Sequence, residues 1–309
     1  MTGKAYILGD WGTSNLRLYL CGENGTLLDE KSGPGIGSIR EKAQETFLNL
    51  TSDWQEKYGA MRVTLSGMVG ANIGWRKMPY FNCPLNINHL KNQLISFTAE
   101  GHQITIVPGL KTKNPLGSPD VMRGEETQIF GVLQMLPELM SGEHLLCLPG
   151  THTKWVHLKN GNIKTFLTTI SGELFGLLRK HSVLLDMKVG LPSKVCSAFE
   201  AGLARASEQN KTTLLHLIFE VRSKQLVGEL PKEDAAAYLS GLITGRDVSG
   251  AIQIFGNSNA VKSCVLIGTD TLTNFYKTAM EKHNIHVKTI AGSEAALAGL
   301  NAIHTSFQE

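Results

Sequence analysis

The chain has 309 residues and a mass of 33.7 kDa, more than one ordinary core takes and suited to two domains of about 150 residues each. Hydrophobic residues at 42% and charged residues at 18%, with a mean hydropathy of -0.06, exclude disordered, fibrous and coiled-coil chains. Thirty Lys and Arg against 27 Asp and Glu leave a formal charge of +3, which gives no electrostatic case for a nucleic-acid partner.

The apolar stretch before Gly9 is too short for a secretory signal. Residues 5–9 and 16–20 predict strands on either side of the polar turn Asp10-Trp11-Gly12-Thr13-Ser14-Asn15, and Asn24-Gly25 predicts a hairpin into a third strand over 26–32. Gly33-Pro34-Gly35-Ile36-Gly37 reads as a strand-end loop, because its third glycine falls one place early for a dinucleotide fingerprint. Ser38 and Glu41 form a capping-box signature, and Ile39, Ala43, Phe47, Leu50 and Trp54 recur at helical spacing, which predicts a helix over 39–57. A strand over 62–66 leads into the glycine-rich stretch 66–75, where the lack of any period predicts a loop suited to a ligand. A helix over 88–99, a strand over 103–107, a Pro- and Gly-punctuated loop over 108–120 and a helix from about 122 to 137 complete the first half.

The pattern then returns. Strand 145–148, the turn Pro149-Gly150-Thr151-His152-Thr153, strand 154–158, Asn160-Gly161 and strand 163–170 repeat the opening order, with offsets of 138 residues at Gly-Thr and 136 at Asn-Gly. Only those two dipeptides match by identity, so chance similarity of short strands is the alternative to a duplicated three-stranded meander. Helices are predicted over 172–186, 193–209, 212–226 and 232–247, then strand 263–268, helix 270–282, strand 285–290 and helix 293–306, so each half is α/β with a mixed sheet. The five cysteines are widely spaced with no C-x-x-C, which suits a reducing cytoplasm, and no run of about 18 apolar residues suggests a membrane partner.

Gly-Thr turns between strands present successive backbone N–H groups in a concavity that phosphate oxygens can fill. Two such turns could clasp one polyphosphate, and Asp10, beside the first, could hold Mg²⁺ through water. A lone Asp-x-Gly-Thr is more often a plain turn; its return half a chain later favours a site. No Walker A loop, H-E-x-x-H or G-x-S-x-G occurs to compete.

Asp10-Trp11-Gly12-Thr13-Ser14, Gly150-Thr151-His152-Thr153-Lys154 and Gly268-Thr269-Asp270 resemble the two phosphate motifs and the adenosine motif of the actin-like sugar kinase and Hsp70 superfamily. The strings SGMVGANIGW, PDVMRGEETQIFG, LPGTHTKWV and SGELFGLLRKHSVL are similar, more narrowly, to the 2-dehydro-3-deoxygalactonokinase family. The resemblance implies an α/β fold of two ribonuclease-H-like (actin-like ATPase) domains with mixed sheets flanked by helices and an active-site cleft between them. The expected division is 1–137, binding sugar acid, with 293–309 crossing back, and 138–292, binding ATP. It further implies an ATP- and Mg²⁺-dependent cytoplasmic kinase acting on the 6-hydroxyl of 2-dehydro-3-deoxy-D-galactonate. The epimeric gluconate-derived acid, a phosphohydrolase and an ATP-gated interaction module remain as alternatives, and a homodimer stays open.

Gly12, Thr13, Ser14, Gly150, Thr151, His152, Lys154, Gly268 and Thr269 are the residues the resemblance assigns to ATP, with Asp10 on the metal. Asp120, standing where the superfamily often has an Asp just before the helix linking the lobes, is the expected base, with helix N-capping as its plainer alternative. Arg123, roughly one helical turn further on, is the expected partner of the substrate carboxylate. Gly67, Met68 and Trp75 are further substrate contacts, and Arg76 and Lys77 are substitutes for Arg123.

Overall fold

A computed structural model of the chain describes residues 4–186, 190–208, 212–256 and 262–305, and its contacts separate two units. The first unit takes Met1–Ser141, Lys159–Thr165 and Gly292–Glu309, and the second takes Gly142–Leu158 and Phe166–Ala291.

The opening alternation forms an antiparallel meander of β1 (Ala5–Trp11), β2 (Asn15–Gly22) and β3 (Leu27–Pro34). The expected helix over 39–57 is interrupted. A short α1 (Ile36–Ile39) ends at Arg40, whose φ of 45° re-aims the chain, and α2 (Ala43–Tyr58) then buries Ala43, Phe47, Thr51 and Trp54. The Ser38 hydroxyl donates to the Gly35 carbonyl, so no capping box forms there; the contact of 35–37 with the first turn overrides it. Next come β4 (Arg62–Gly67), β5 (Tyr80–Asn82) and α3 (Ile87–Lys91).

The expected helix over 88–99 is corrected to α3 followed by β6 (Ser96–Ala99), which turns through Glu100 and Gly101, φ 46° and 83°, into β7 (His102–Ile106). Positive φ at both central residues is the two-residue hairpin geometry that matches strand twist. The loop expected over 108–120 is largely a second hairpin, β8 (Gly109–Lys113) and β9 (Pro119–Met122). Its turn is held by the Asn114 side chain, which accepts from the N–H groups of Leu116 and Ser118. The helix expected from 122 begins later, as α4 (Glu125–Met135).

The six-stranded sheet has the order β3-β2-β1-β4-β7-β6, with β4 parallel to β1 and β7, and β5-β8-β9 forms a separate small sheet. Ile7, Trp11, Leu16, Leu18, Phe47 and Leu65 centre the core between the large sheet and α2.

The plan recurs with β10 (Glu143–Leu148), β11 (Thr153–Lys159), β12 (Asn162–Thr169) and α5 (Ser171–His181). It continues with α6 (Ser197–Glu208), α7 (Leu214–Leu217), α8 (Glu220–Leu226), α9 (Ala235–Phe255), β13 (Ser263–Gly268), α10 (Asp270–Glu281) and β14 (His286–Ala291). The helix expected over 212–226 is thus two, and the one over 232–247 runs on to 255 because Val248, Ala251 and Phe255 extend its buried face. Residues 209 and 306, the last of two expected helices, lie outside the described residues. The sheet order is β12-β11-β10-β13-β14, with β13 parallel to both neighbours.

Both sheets open third, second, first, fourth in their own chain order, the ribonuclease-H-like arrangement; the second then ends on its fifth strand, whereas in the first β7 follows β4 and its hairpin partner β6 takes the edge. The last helix, α11 (Gly292–Thr305), packs in the first unit against α4. There Gly131 and Gly299 allow backbone contact; a Cβ at either would fall within 2 Å of a carbonyl oxygen of the facing helix, Ala295 O at 1.8 Å and Thr127 O at 1.9 Å. No helix among the described residues is long and apolar enough to cross a membrane.

Candidate active site

In the first unit, Gly12 N–H closes the turn on the Asn15 carbonyl, and the carbonyls of Gly12, Thr13 and Ser14 accept from the N–H groups of Ile36, Gly37 and Gly35 at 3.0, 2.9 and 3.1 Å. Those bonds turn the oxygens inward and leave the Thr13 and Ser14 side chains exposed. Gly35 permits the approach, since a Cβ there would meet the Thr13 carbonyl at 2.3 Å.

Asp10 lies at the end of β1, opposite Arg17 on β2 and Ser66 on β4. Burial raises the Asp10 carboxyl above the ordinary carboxylate range, with the Arg17 charge opposing it, and the carboxylate takes no hydrogen bond among the described residues. Gly67, at φ 94°, closes in beside it: a Cβ would stand 2.7 Å from Trp11 O and 3.6 Å from Asp10 Oδ1. Gly124, at φ 105°, packs in turn on Gly67. The fully buried Glu126 fixes Gly124, whose N–H donates to both carboxylate oxygens at 3.0 and 2.8 Å. Burial, with the neighbouring Glu125 charge next, pushes the Glu126 carboxyl up to about 8.

Asp120 and Arg123 are not on a helix. Asp120 sits on β9 opposite Thr112, accepting from Val121 N–H at 2.8 Å and the Asn114 amide at 3.4 Å. Gly124 is the N-cap of α4, so the capping alternative for Asp120 falls, and the helical spacing expected to turn Arg123 toward it does not apply. The Arg123 guanidinium lies 4.4 Å from the Tyr80 ring centroid and donates through Nη2 to the Met78 carbonyl at 2.8 Å. Its Nε and Nη1 are buried without a hydrogen-bond partner, and a Cβ on Gly70 would touch Nη1 at 2.7 Å. The glycine-rich loop thus lies against the guanidinium. Met68 is half-buried, whereas Trp75 packs its ring toward Phe47 and Phe97 at centroid distances of 5.3 and 5.8 Å. Arg76 also stacks on Phe97, and Lys77 is exposed.

In the second unit a cavity of about 480 Å³ begins at Gly150, Thr151, Ser171 and Gly172, carries Arg179 and Lys180 on its wall, and is lined elsewhere by Phe175, Leu272, Phe275 and other apolar groups. That volume suits a nucleotide-sized ligand. Gly172 lets α5 rest on the turn, since a Cβ would fall 2.3 Å from the Gly150 carbonyl, and Glu173 N–H donates to the Thr151 carbonyl at 2.9 Å. His152 pairs with Glu173 at 2.6 Å. Four expected ATP contacts of the second unit, His152, Lys154, Gly268 and Thr269, lie off the cavity lining. Lys154 is buried with its ammonium donating to Thr168 Oγ1 at 2.9 Å, Gly268 packs near Pro149, and Thr269 is the N-cap of α10; Thr271 and Leu272 line the cavity instead.

Asp247 on α9 escaped the sequence reading, because nothing local marks it. It accepts from Trp155 Nε1, Thr169 Oγ1, Ser171 Oγ and Tyr276 Oη. Gly172 had a legible signal: it stands 137 residues after Gly35, inside the repeat offset, and does the same work at the second turn. No group of three or more His, Cys, Asp or Glu among the described residues could hold a metal by itself.

A family model described as 2-keto-3-deoxy-galactonokinase matches residues 10–303. A 2-dehydro-3-deoxygalactonokinase of Escherichia coli (strain K12) is 35% identical over 306 residues, 98% of each chain. A protein of Rhizobium meliloti (strain 1021) described as a probable 2-dehydro-3-deoxygalactonokinase is 33% identical over 304 residues, 97% of each. A crystal structure of a candidate 2-dehydro-3-deoxygalactonokinase from Sinorhizobium meliloti superposes with a TM-score of 0.87 at 31% identity, covering 98% of this chain and 99% of that one.

Proposed function

The chain belongs to the 2-keto-3-deoxy-galactonokinase family, and we propose that it transfers the γ-phosphoryl group of ATP to the 6-hydroxyl of 2-dehydro-3-deoxy-D-galactonate, a kinase step of galactonate degradation. The observation that carries the kinase chemistry is the Gly-Thr turn built twice, each pinned by a glycine at the start of the following helix, once beside Asp10 and once at the mouth of the cavity. ATP occupies that cavity in the second unit, and the first unit carries the sugar acid.

Phosphoryl transfer asks the protein mainly for positioning and charge neutralisation. Asp10 fits a Mg²⁺ role because its carboxylate is desolvated and lacks a donor, so a cation beside it would restore the charged form. When bound, that ion neutralises phosphate oxygens; one carboxylate with water and phosphate ligands suffices for it. Asp120 accepts the proton of the attacking hydroxyl, and Thr13, Ser14 and Thr151 contact phosphate. Arg123 takes the substrate carboxylate, a role supported by its two unpaired donors beside the glycine-rich loop. The reaction belongs in the cytoplasm, and a homodimer is supported only by the exposed Leu215, Phe219 and Leu226 of the α7–α8 region.

The test is Arg123→Ala. Two charge-assisted hydrogen bonds at about 1.5 kcal/mol each are worth about a hundredfold, so KM for the acid should rise by about that factor with KM for ATP little changed. If the variant prefers the acid over its uncharged alcohol analogue as strongly as the parent, the carboxylate site lies elsewhere. ADP release measured with and without each epimeric acid separates the kinase from a phosphohydrolase and from an interaction module.

A further inference from the structure

We propose that Asp247 is a positioning residue for the nucleotide: it anchors a one-way chain of hydrogen bonds that holds the second Gly-Thr turn in place at the cavity, an inference resting on the nucleotide reading of that cavity. Its carboxylate accepts and cannot donate, so every group around it must point a hydrogen at it. Oδ1 takes Trp155 Nε1–H at 2.9 Å, and Oδ2 takes the hydroxyls of Ser171 and Tyr276 at 2.5 Å each; Thr169 reaches both oxygens at 3.0 Å. With its hydrogen committed, Tyr276 Oη accepts from Thr153 Oγ1 at 3.1 Å, and Thr153 Oγ1 accepts from Gly150 N–H at 3.4 Å. The order is therefore Gly150 N–H to Thr153, Thr153 to Tyr276, Tyr276 to Asp247. Gly150, Ser171 and Tyr276 all line the cavity, so three members of the chain face the ligand space while Asp247 stands behind them.

The charge, and not only the shape, fixes this order. In Asp247→Asn the indole N–H of Trp155 can only donate, so the amide oxygen must stay on that side and the NH₂ must face Ser171 and Tyr276. Both hydroxyls then reverse. A reversed Tyr276 donates to Thr153, Thr153 must turn its own hydrogen back, and that hydrogen meets Gly150 N–H. A near-isosteric change at Asp247 thus reaches the turn, although Asp247 is not among the residues lining the cavity.

The experiment measures binding of Mg²⁺ with adenylyl imidodiphosphate by calorimetry, thermal unfolding, and KM for both substrates, in the parent, Asp247→Asn, Tyr276→Phe and the double variant. Expected are a Kd weaker by about tenfold in D247N and about threefold in Y276F, with no further loss when Y276F is added to D247N. KM for ATP follows these factors while KM for the sugar acid stays within about twofold and kcat at saturation is kept. If D247N does not fold, Y276F carries the comparison. Folded variants with parental Kd overturn the proposal, and so does equal weakening for both substrates, which marks general loosening. A parent that fails to bind the nucleotide refutes the cavity assignment itself, a different result from parental binding retained in the variants.

Discussion

Replacing Glu126 by Gln should change how stability depends on pH. The carboxyl is fully buried at the start of α4, and its pKa of about 8 stands well above the 4.5 of a free side chain. Because the folded value is the higher one, the fold favours the protonated form. The stability tied to that proton is complete below about pH 4.5, is lost as pH rises toward 8, and changes little above it. At about 1.4 kcal/mol per pH unit, the gap sets an upper bound of about 5 kcal/mol. The hydrogen bonds from Gly124 N–H favour the ionised carboxylate, an effect already contained in the value of about 8, and do not reverse that of burial. Gln keeps an oxygen for Gly124 and has no proton to lose. Urea unfolding followed by tryptophan fluorescence at about pH 5, 7 and 8.5 should therefore show the parent losing stability relative to E126Q as pH rises. Parallel stability curves would mean that Glu126 stays ionised at every pH tested and that burial does not dominate its titration.

Asp10→Asn and Asp120→Asn should each lower kcat by on the order of a hundredfold or more while the protein stays folded, and Asp120→Asn should still bind the ATP analogue; near-parental kcat at saturating Mg²⁺ rejects the role of the residue concerned. Gly172→Ala puts a Cβ 2.3 Å from the Gly150 carbonyl, so α5 must shift off the second turn and KM for ATP should rise by about tenfold; an unchanged KM would show slack in that contact. In Gly131→Ala the new Cβ would lie 1.8 Å from the Ala295 carbonyl, which forces α4 and α11 apart at a cost of about 2 kcal/mol or more. An unshifted urea midpoint would show that the two helices separate without loss.

The sequence by itself determined the two meanders and their Gly-Thr turns, the late αβ alternation and the family, because strand alternation and turn chemistry act over a few residues and were repeated half a chain apart. The candidates on those turns, Asp10, Thr13, Ser14, Gly150 and Thr151, were legible for the same reason. Tertiary structure alone decided where competing local signals gave way. Residues 96–99 became an edge strand because β7 offered pairing, the chain broke at Arg40 because 35–37 docked on the first turn, and the β8–β9 hairpin moved Asp120 and Arg123 off the expected helix. It also gathered Asp247, Tyr276, Ser171 and Trp155 around one carboxylate. Those four residues span 92 positions between Trp155 and Asp247 alone, and the hydrogen bonds that order them exist only once the strands and helices carrying them have packed.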